Sequence, residues 1–209
     1  MNGKKALLLA SGGLDSTTLA YWLVENGYDV WSLFFDYGQH CVETEWETLQ
    51  EVLPTTIRAP ERIDLSGVFK GSSSRLVVEA NLWAEAVTPD DLYIPYRTLF
   101  FCTAGAARAQ TLGINEVFSG FINSNHAKEM DCTFSFLNGI EELSRGVGIV
   151  ELKFPFRSFS KAEVANMAID LGVPLGKTYS CQVYSDTPCG VCPNCVDRLA
   201  GLKSAGLQP

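Results

Sequence analysis

The segment SGGLDSTT at residues 11–18 brings two glycines, one carboxylate and four hydroxyl groups together between a predicted strand and a predicted helix. The N-terminus of a helix offers unpaired N–H groups and a partial positive charge, and glycines let the backbone approach a phosphate closely. The hydroxyls of Ser11, Ser16, Thr17 and Thr18 would add donors, whereas Asp15 suits an anion site when Mg²⁺ is bound there too. The segment lacks the lysine of a Walker motif and the spacing of GxGxxG. A Gly-Gly turn without a ligand is the alternative, and the full eight-residue pattern favours a phosphate site.

Four of the seven cysteines form a second pattern, C-x7-C-x2-C-x2-C, near the C-terminus. Its members are Cys181, Cys189, Cys192 and Cys195. Thiolates at CxxC spacing fold back onto one ion, and four of them give the closed tetrahedral site of a structural Zn²⁺. An iron–sulfur cluster would use the same four thiolates, a redox CxxC would need only two, and unconnected free cysteines are the remaining alternative. We predict structural zinc in a tail of residues 179–209 that follows a main domain of residues 1–178.

Three further cysteines stand apart from this pattern. Cys102 falls on an apolar helix and is predicted to be part of the core. Cys41 and Cys132 fall in loops expected to border the ligand, which makes them candidates for the pocket wall. His40, beside Cys41, is a candidate proton acceptor.

The composition is that of an ordinary globular chain of 209 residues, 46% hydrophobic and 19% charged. The net charge of −8 argues against a general electrostatic grip on nucleic acid, which needs clustered Lys and Arg, but not against a nucleotide bound by local donors. No apolar run approaches the ~20 residues of a membrane span, and the short run after Lys5 leads straight into SGG, so it is predicted to be a strand rather than a signal peptide. We therefore expect a cytoplasmic protein, in which metal-bound or reactive thiols are favoured over disulfides.

Strands and helices alternate along the chain. The predicted strands are 5–10, 29–35, 56–63, 116–120 and 149–154. The predicted helices are 16–26, 42–53, 97–112, 134–144 and 161–171. Ser160 and Glu163 form a predicted capping box at the last helix. This order predicts an α/β fold with a parallel sheet and helices on both faces. Ligands of such sheets lie at the carboxyl ends of the strands, so the loops 11–16, 36–40 and 120–131 are expected at one edge.

The SGGLDSTT segment resembles the SGGxDS loop of the PP-loop ATP pyrophosphatases, enzymes of HUP-like fold that split ATP between the α- and β-phosphates. The resemblance implies that an adenylate is formed and pyrophosphate is released. It also implies that the loop holds the pyrophosphate end and Mg²⁺, with the backbone near Ala10 and Phe34 beside the adenosine. The cofactor-binding residues expected on this basis are Ala10, Ser11, Gly12, Gly13, Leu14, Asp15, Ser16, Thr17, Phe34 and Lys161.

The order of motifs along nearly the whole chain resembles the 7-cyano-7-deazaguanine synthase (QueC) family of queuosine biosynthesis. The motifs are SGGLDSTT at 11–18, DYGQ at 36–39, IPYR at 94–97, SGFINSN at 119–125, PFRSFSKAEV at 155–164 and the cysteine tail. The resemblance implies that ATP adenylates the carboxylate of 7-carboxy-7-deazaguanine. Ammonia then gives an amide, and a second ATP dehydrates this amide to the nitrile preQ0. A structural zinc on the four cysteines of the tail is implied as well.

Several loops depart from the patterns of that family. The motif YxQRH becomes YGQH at 37–40, without the arginine, and VPGRN becomes IPYRT at 94–98, without the Gly and Asn. The loop 120–133 keeps the family's Asp-Cys pair but has Thr133 in place of the arginine that follows it. The segments that bind ATP and zinc are thus kept while the loops that face the acceptor differ. A changed second step would produce this distribution.

The changed loops leave two products open. QueC-like paralogs in antiviral operons, including the CBASS type, are thought to join the activated deazaguanine to an amine of a partner protein as an amide, without making a nitrile. This chain resembles such paralogs as well as nitrile synthases, so the acceptor is either a protein amine or ammonia. Family members are often dimers, which implies a homodimer. The alternatives are another PP-loop enzyme, tRNA-modifying or amide-forming, and a non-catalytic nucleotide-binding module stabilised by zinc.

Candidate residues for this chemistry follow from the resemblance. Arg97 is expected to bind a phosphate or the substrate carboxylate, and Lys161 to reach a phosphate. His126 lies in the rewritten loop, and a histidine suits the role of general base for the incoming amine; a solvated loop histidine is the alternative. The predicted catalytic residues are Asp15, Ser16, Arg97 and His126. The predicted substrate-binding residues are Tyr37, Gln39, Arg97, Gly120, Asn123, Lys128 and Asp131. Asp131 would accept from the N–H edge of the base, or alternatively cap the helix that follows.

Overall fold

One parallel sheet organises the chain. The computed structural model describes residues 3–82, 84–122, 130–183 and 187–207. Its strands are β1 (Lys4–Leu9), β2 (Tyr28–Asp36), β3 (Glu61–Asp64), β4 (Glu116–Ser119) and β5 (Glu151–Lys153), paired in the order β3-β2-β1-β4-β5. All four described pairings are parallel. Because β1 pairs with both β2 and β4, the winding of the sheet reverses at β1, and a crevice forms there at the carboxyl ends of the strands.

Helices cover both faces of this sheet, as predicted. The helices among the described residues are α1 (Leu14–Glu25), α2 (Val42–Val52), α3 (Pro89–Leu92), α4 (Arg97–Thr111), α5 (Phe134–Val147), α6 (Lys161–Asp170) and α7 (Pro193–Ser204). Alternate residues of β1 point to opposite faces: Leu8 packs in one core cluster with α1, α2 and α6, and Leu7 packs in another with α4 and α5. A central strand buried on both faces explains the continuous apolar run that the sequence shows there.

The predicted capping box at the start of α6 is present. The Ser160 hydroxyl accepts a hydrogen bond from the Glu163 backbone N–H (3.2 Å), and the Glu163 carboxylate accepts one from the Ser160 N–H (2.7 Å). Two N–H groups of the helix end are satisfied in this way. The box fixes where α6 begins, and therefore where Lys161, its first residue, is placed.

The third strand is shorter than predicted, Glu61–Asp64 instead of 56–63. The Ile57 N–H donates to the Pro54 carbonyl (2.9 Å) in a turn that occupies the first part of the predicted strand. Pro60 has no N–H to give to a ladder. Pairing with β2 therefore begins only at Glu61.

Two helices occupy segments where the sequence analysis predicted none. The short α3 lies in the stretch 65–92, where neither a strand nor a helix was predicted, and it begins with a Thr88–Asp91 capping box. Helix α7 begins at Pro193, between two of the clustered cysteines, where proline suits the first helical position. The signals for both helices were present in the sequence as cap residues.

Tyr96 precedes α4 in the left-handed region, with φ +65° and ψ −1°. It is the single non-glycine residue with positive φ among the described residues. Its side chain is 76% exposed. The QueC motif that this segment resembles has Gly at this position, for which the left-handed region carries no steric cost. In this chain a tyrosine occupies the left-handed conformation, and that conformation is strained for tyrosine.

No helix in the described ranges is long and apolar enough to cross a membrane.

Candidate active site and metal centre

The loops after β1, β2 and β4 meet around one cavity of about 690 Å³ at the carboxyl edge of the sheet. The order of the elements had predicted this meeting of loops. Most predicted site residues line the cavity: Ala10, Ser11, Gly13, Leu14, Asp15, Ser16, Phe34, Tyr37, Gln39, Arg97, Gly120, Asp131 and Lys161. The volume is typical of a site for a small molecule.

The N-terminus of α1 opens into this cavity. Gly13 is the N-cap residue and no side chain caps the helix, so the first N–H groups have no partner within the helix. The Ser16 hydroxyl accepts a hydrogen bond from the Ser11 N–H (3.2 Å) and lies 3.2 Å from the Ser11 hydroxyl. Small hydroxyl side chains thus surround an open helix end, an arrangement suited to phosphate.

Two residues predicted to bind the cofactor, Gly12 and Thr17, are not part of the described cavity wall. Gly12 has φ +76° and lies so close to α2 that a Cβ there would be 2.9 Å from the Leu49 backbone nitrogen. Thr17 is fully buried. Both residues therefore lie behind the described cavity wall, and their predicted role in binding the cofactor stays a prediction.

Asp15 is paired with Lys161 of α6, a contact that sequence reasoning did not predict. Lys161 Nζ lies 2.6 Å from Asp15 Oδ2, with 22% and 25% of the two side chains exposed. Lys161 therefore offsets the charge of Asp15, and a metal ion is not needed for that purpose. Asp15 Oδ1 is buried and has no hydrogen-bond partner in the described structure. A Mg²⁺ held by one carboxylate and by phosphate oxygens fits that atom.

A buried network around Glu45 of α2 was missed by sequence reasoning. Gln39 Nε2 donates to Glu45 Oε2 (2.9 Å) and to the Phe35 carbonyl (3.2 Å), while Gln39 Oε1 accepts from the Tyr37 N–H (2.8 Å). Burial raises the pKa of Glu45 to about 7, although the Gln39 hydrogen bond and the Arg97 charge act in the opposite direction. Glu45 lines the cavity with a carboxyl group that titrates near neutral pH.

The signal for Glu45 lay in the pattern of α2. Glu45, Leu49 and Val52 are its buried residues, spaced along one face of the helix. A carboxylate at an apolar position of a helix is unusual enough to mark a candidate site residue. Gln39, which was predicted to bind the substrate, instead has both ends of its amide engaged by the protein, so it orients Glu45 and the Tyr37 loop.

Asp131 lies in the 3₁₀ turn Met130–Cys132 and is 7% exposed in the cavity wall. Its Oδ2 atom is buried and lacks a hydrogen-bond partner in the described part of the chain. The alternative role as a helix cap is wrong, because Thr133 caps α5 and accepts from the Phe136 N–H (3.3 Å). A buried acceptor facing a cavity is suited to N–H donors of a ligand.

Other candidate residues have mixed outcomes. His126, Asn123 and Lys128 lie outside the described residues, so their roles stay predictions. Cys102 is buried in the core, as predicted, and Cys132 lines the cavity. Cys41 is buried and is not among the described residues of the cavity wall. His40 Nε2 lies 3.2 Å from the Gln182 carbonyl.

The four clustered cysteines converge as the sequence predicted. The Sγ atoms of Cys181, Cys189, Cys192 and Cys195 all lie within 4.8 Å of one another. A Zn–S distance of about 2.3 Å places the sulfurs of a tetrahedral site roughly 3.8 Å apart, so this donor set fits zinc. Hydrogen bonds from Cys192 and Cys195 lower the pKa of Cys181, which favours its thiolate. Gly190, between the second and third cysteines, has φ +73°, as a tight knuckle turn requires.

The segment that carries the four clustered cysteines is packed into the interior of the protein. Cys181, Cys192 and Cys195 are almost fully buried, in a core cluster that also holds Tyr37 and Tyr179. The Tyr179 hydroxyl contacts the Cys41 sulfur (3.6 Å). The tail therefore packs against the loop that follows β2, although the cysteines lie far from that loop in sequence.

Arg198 of α7 fastens the segment that leads into the cysteines. Its guanidinium donates to the Thr178 hydroxyl (2.6 Å), the Ser180 hydroxyl (3.3 Å) and the Leu175 carbonyl (2.6 Å). Sequence reasoning did not single out this arginine, because its partners are polar groups of a loop. These bonds hold residues 175–180 against the start of α7.

Comparison with known proteins gives full-length relatives. The family described as "Queuosine biosynthesis protein QueC" matches residues 5–206. The chain is 31% identical over 218 residues to the 7-cyano-7-deazaguanine synthase of Sulfurovum sp. (strain NBC37-1), covering 99% of this chain and 96% of that protein. It is 30% identical to the enzyme of that name from Campylobacter hominis, with 96% of each chain covered. The corresponding Thermoplasma acidophilum protein is 30% identical, over 100% of this chain and 91% of that one.

A solved structure shows the same fold. It is described as a 4-thiouridine synthetase–RNA complex with bound ATP, and it matches with a TM-score of 0.56 and 17% identity over 97% of this chain and 50% of that one. At that identity the likeness shows the fold alone, which agrees with the predicted PP-loop architecture. The full-length relatives confirm the predicted enzyme type, an ATP-dependent ligase homologous to 7-cyano-7-deazaguanine synthases. The motifs, the fold and the relatives agree, and the chain belongs to the QueC family.

Proposed function

We propose that this chain uses Mg-ATP to adenylate the carboxylate of 7-carboxy-7-deazaguanine and passes the acyl group to an amine. The observation that carries the proposal is that one cavity is lined by the open end of α1, the Lys161–Asp15 pair, Arg97 and Asp131. A phosphate site and an acceptor for a base edge thus face the same space. Formation of an acyl adenylate requires such proximity of its two reactants.

The phosphate side of the cavity would stabilise the leaving groups. Adenylation makes pyrophosphate and later AMP leave, so the site must offset negative charge on the phosphates. The N–H groups of α1, the hydroxyls of Ser11 and Ser16, and Lys161 Nζ would bind these oxygens. Asp15 Oδ1 would help to hold Mg²⁺, which supplies further charge neutralisation when it is bound. Ala10 follows β1, Phe34 lies near the end of β2, and both would flank the adenosine.

The opposite side of the cavity would hold the deazaguanine carboxylate. Arg97 begins α4, and its guanidinium lies 5.6 Å from the centre of the Tyr37 ring, which keeps the charge at the cavity wall. Arg97 would bind the carboxylate, because a guanidinium can donate two parallel hydrogen bonds to it. The buried Oδ2 of Asp131 would accept from the amino and N–H edge of the base, and Gly120, which also lines the cavity, is a further candidate for contact with the substrate.

The second step would transfer the acyl group to an amine. The amine nitrogen forms a bond to the acyl carbon, the bond to the AMP oxygen breaks, and the amine proton passes to a base, for which His126 is our candidate. Ammonia would lead through an amide to preQ0, and a protein amine would lead to an amide conjugate, as in the antiviral paralogs. The loops around Tyr96 and Thr133, which depart from the family pattern, favour the protein amine.

Location and assembly are further parts of the proposal. A reducing compartment keeps thiols available for zinc, which supports a cytoplasmic location. A homodimer and a division of the chain into residues 1–178 and 179–209 stay predictions. The net charge of −8 supports a small-molecule substrate rather than nucleic acid.

Mass spectrometry of the products tests this function. The zinc-loaded protein is incubated with Mg-ATP and 7-carboxy-7-deazaguanine, once with ammonium and once with proteins encoded beside it, and a D15N variant serves as the inactive control. Free preQ0 supports a nitrile synthase, and a protein that gains the deazaguanine acyl mass supports a conjugating ligase. Pyrophosphate release with neither product supports adenylation and leaves the acceptor to be found. No ATP cleavage by the wild type would contradict the proposal.

A further inference from the structure

Gly201 lies where α7 meets the start of α6. It is buried, and a Cβ built on it would lie 2.4 Å from Lys161 Cγ, 3.1 Å from Lys161 Cβ and 3.3 Å from the Lys161 carbonyl carbon. A methyl group at this position would therefore collide with the stem of the lysine. The missing side chain of Gly201 is what leaves room for Lys161 in its observed position.

Glycine in the interior of α7 calls for a packing reason, because it is the least favourable helix residue after proline. Gly139 shows the contrast: it lies inside α5, it is exposed, and a Cβ there would meet nothing within 4 Å. An alanine is therefore allowed at residue 139 and excluded by contact at residue 201. The close approach at Gly201 is specific to Lys161.

The position of Lys161 matters because its Nζ reaches the phosphate-binding loop. Nζ lies 2.6 Å from Asp15 Oδ2, at the first turn of α1. Gly120 confines Asp15 from another side, since a Cβ at residue 120 would lie 3.0 Å from the Asp15 carbonyl oxygen. The amine of Lys161 is thus paired with the Asp15 carboxylate at the first turn of α1, and its stem packs against α7 at Gly201.

We propose that Gly201 is a positioning residue of the nucleotide site, which directs Lys161 Nζ towards Asp15 and the phosphates of ATP. This inference rests on the proposed function, because it takes the ligand at α1 to be ATP. A methyl group at residue 201 forces either a different rotamer of Lys161 or a retreat of α7 from α6. In both cases Nζ leaves the position from which it contacts a phosphate.

Calorimetric titration with Mg-ATP tests the inference on the zinc-loaded full chain. The wild type is compared with G201A, K161A, the double variant and the matched helical control G139A, with zinc content and thermal midpoint measured for each. G201A is expected to bind Mg-ATP about tenfold more weakly, the scale of one hydrogen bond to a charged group, with its zinc content unchanged. K161A is expected to lose a similar factor. G139A is expected to bind as the wild type does.

The double variant distinguishes positioning from general damage. K161A removes the Cγ atom at 2.4 Å and leaves Cβ at 3.1 Å and the carbonyl carbon at 3.3 Å, so adding G201A to it is expected to cost much less affinity and thermal stability than G201A costs in the wild type. Losses that add in the double variant would overturn the proposal, as would wild-type affinity in G201A. If G201A alone does not fold, recovery of folding in the double variant supports the contact with Lys161, and failure to recover overturns it. A wild type that does not bind Mg-ATP defeats the proposed function itself, and this inference with it.

Discussion

The backbone N–H of Tyr179 donates to the carbonyl of Gly12 at 3.1 Å, which joins the metal-binding tail to the phosphate-binding loop. The carbonyl oxygen of Tyr179 also packs against this loop, because a Cβ built on Gly13 would lie 3.4 Å from it. Two residues later the chain reaches Cys181, the first of the clustered cysteines. The loop is thus held between α2 and a segment whose own position depends on the cysteine site.

Metal removal is therefore expected to disturb nucleotide binding as well as stability. Treatment with a strong chelator should lower the thermal midpoint and weaken Mg-ATP binding roughly fivefold, if one contact of about 1 kcal/mol to the loop is lost. Calorimetry of the chelated protein, with binding repeated after Zn²⁺ is restored, measures both effects. The control is the zinc-loaded protein carried through the same buffer exchanges. Equal ATP affinity with and without metal would show that the loop keeps its shape independently of the tail.

Glu45 is expected to make stability depend on pH in a defined direction. Burial raises its pKa from 4.5 to about 7 in the folded protein, so the folded state binds this proton more tightly than the unfolded state does. The proton therefore stabilises the fold at low pH, and this contribution is lost as the pH rises from about 5 to about 8. E45Q removes the titrating group and keeps an acceptor for Gln39. The stability of E45Q relative to the wild type should rise by roughly 3 kcal/mol across this range, at about 1.4 kcal/mol per pKa unit.

Urea unfolding of both proteins at pH 5, 6, 7 and 8 measures this difference. E43Q is the matched control, because Glu43 lies on the same helix but is exposed and paired with Arg62 (2.7 Å). No comparable rise is expected for E43Q. A stability difference between E45Q and the wild type that stays constant with pH would contradict a raised pKa of Glu45.

Tyr96 is expected to store backbone strain that glycine would relieve. A side chain in the left-handed region costs roughly 1–2 kcal/mol, and glycine avoids this cost but loses up to about 1 kcal/mol in chain entropy. Because the ring is 76% exposed, its removal loses little packing. Y96G should therefore be more stable than Y96A, by up to about 1 kcal/mol, in urea unfolding. Using Y96A as the reference separates backbone strain from loss of the ring, and greater stability of Y96A would show that φ at residue 96 is not strained.

Replacing Asp131 by asparagine is expected to weaken substrate binding without lowering thermal stability. D131N keeps the shape of the side chain but removes a carboxylate whose buried Oδ2 has no hydrogen-bond partner in the described structure. Thermal stability should be unchanged or higher, since an unpartnered carboxylate is costlier to bury than an amide. The KM for 7-carboxy-7-deazaguanine should rise about tenfold or more, with the KM for ATP unchanged. A D90N variant on the nearby exposed turn is the control, and an equal rise in both KM values would argue against a role in reading the base.

Part of the site could be predicted from the sequence because its residues lie close together along the chain. The glycines and hydroxyls after β1 define a phosphate loop wherever the strand ends, and the CxxC spacing brings thiolates onto one ion through short turns. Asp131 was a candidate because it matches the Asp-Cys pair of the QueC motif. The third strand was predicted too long, because pairing with β2 begins only after Pro60. Helix α7, which begins within the cysteine motif, was not predicted.

The sequence by itself therefore determined the fold class, the edge of the sheet that carries the cavity, the cluster of four cysteines and the capping box that begins α6. Only the tertiary structure decided that Lys161 pairs with Asp15, that Glu45 is buried beside Gln39, and that Tyr179 holds Gly12. The physical reason is sequence distance. The four cysteines and the capping box each lie within one short stretch of sequence, and the fold class follows from the alternation of strands and helices. By contrast, Lys161 and Asp15 are separated by 146 positions and meet only because α6 and α1 pack on the same face of the sheet.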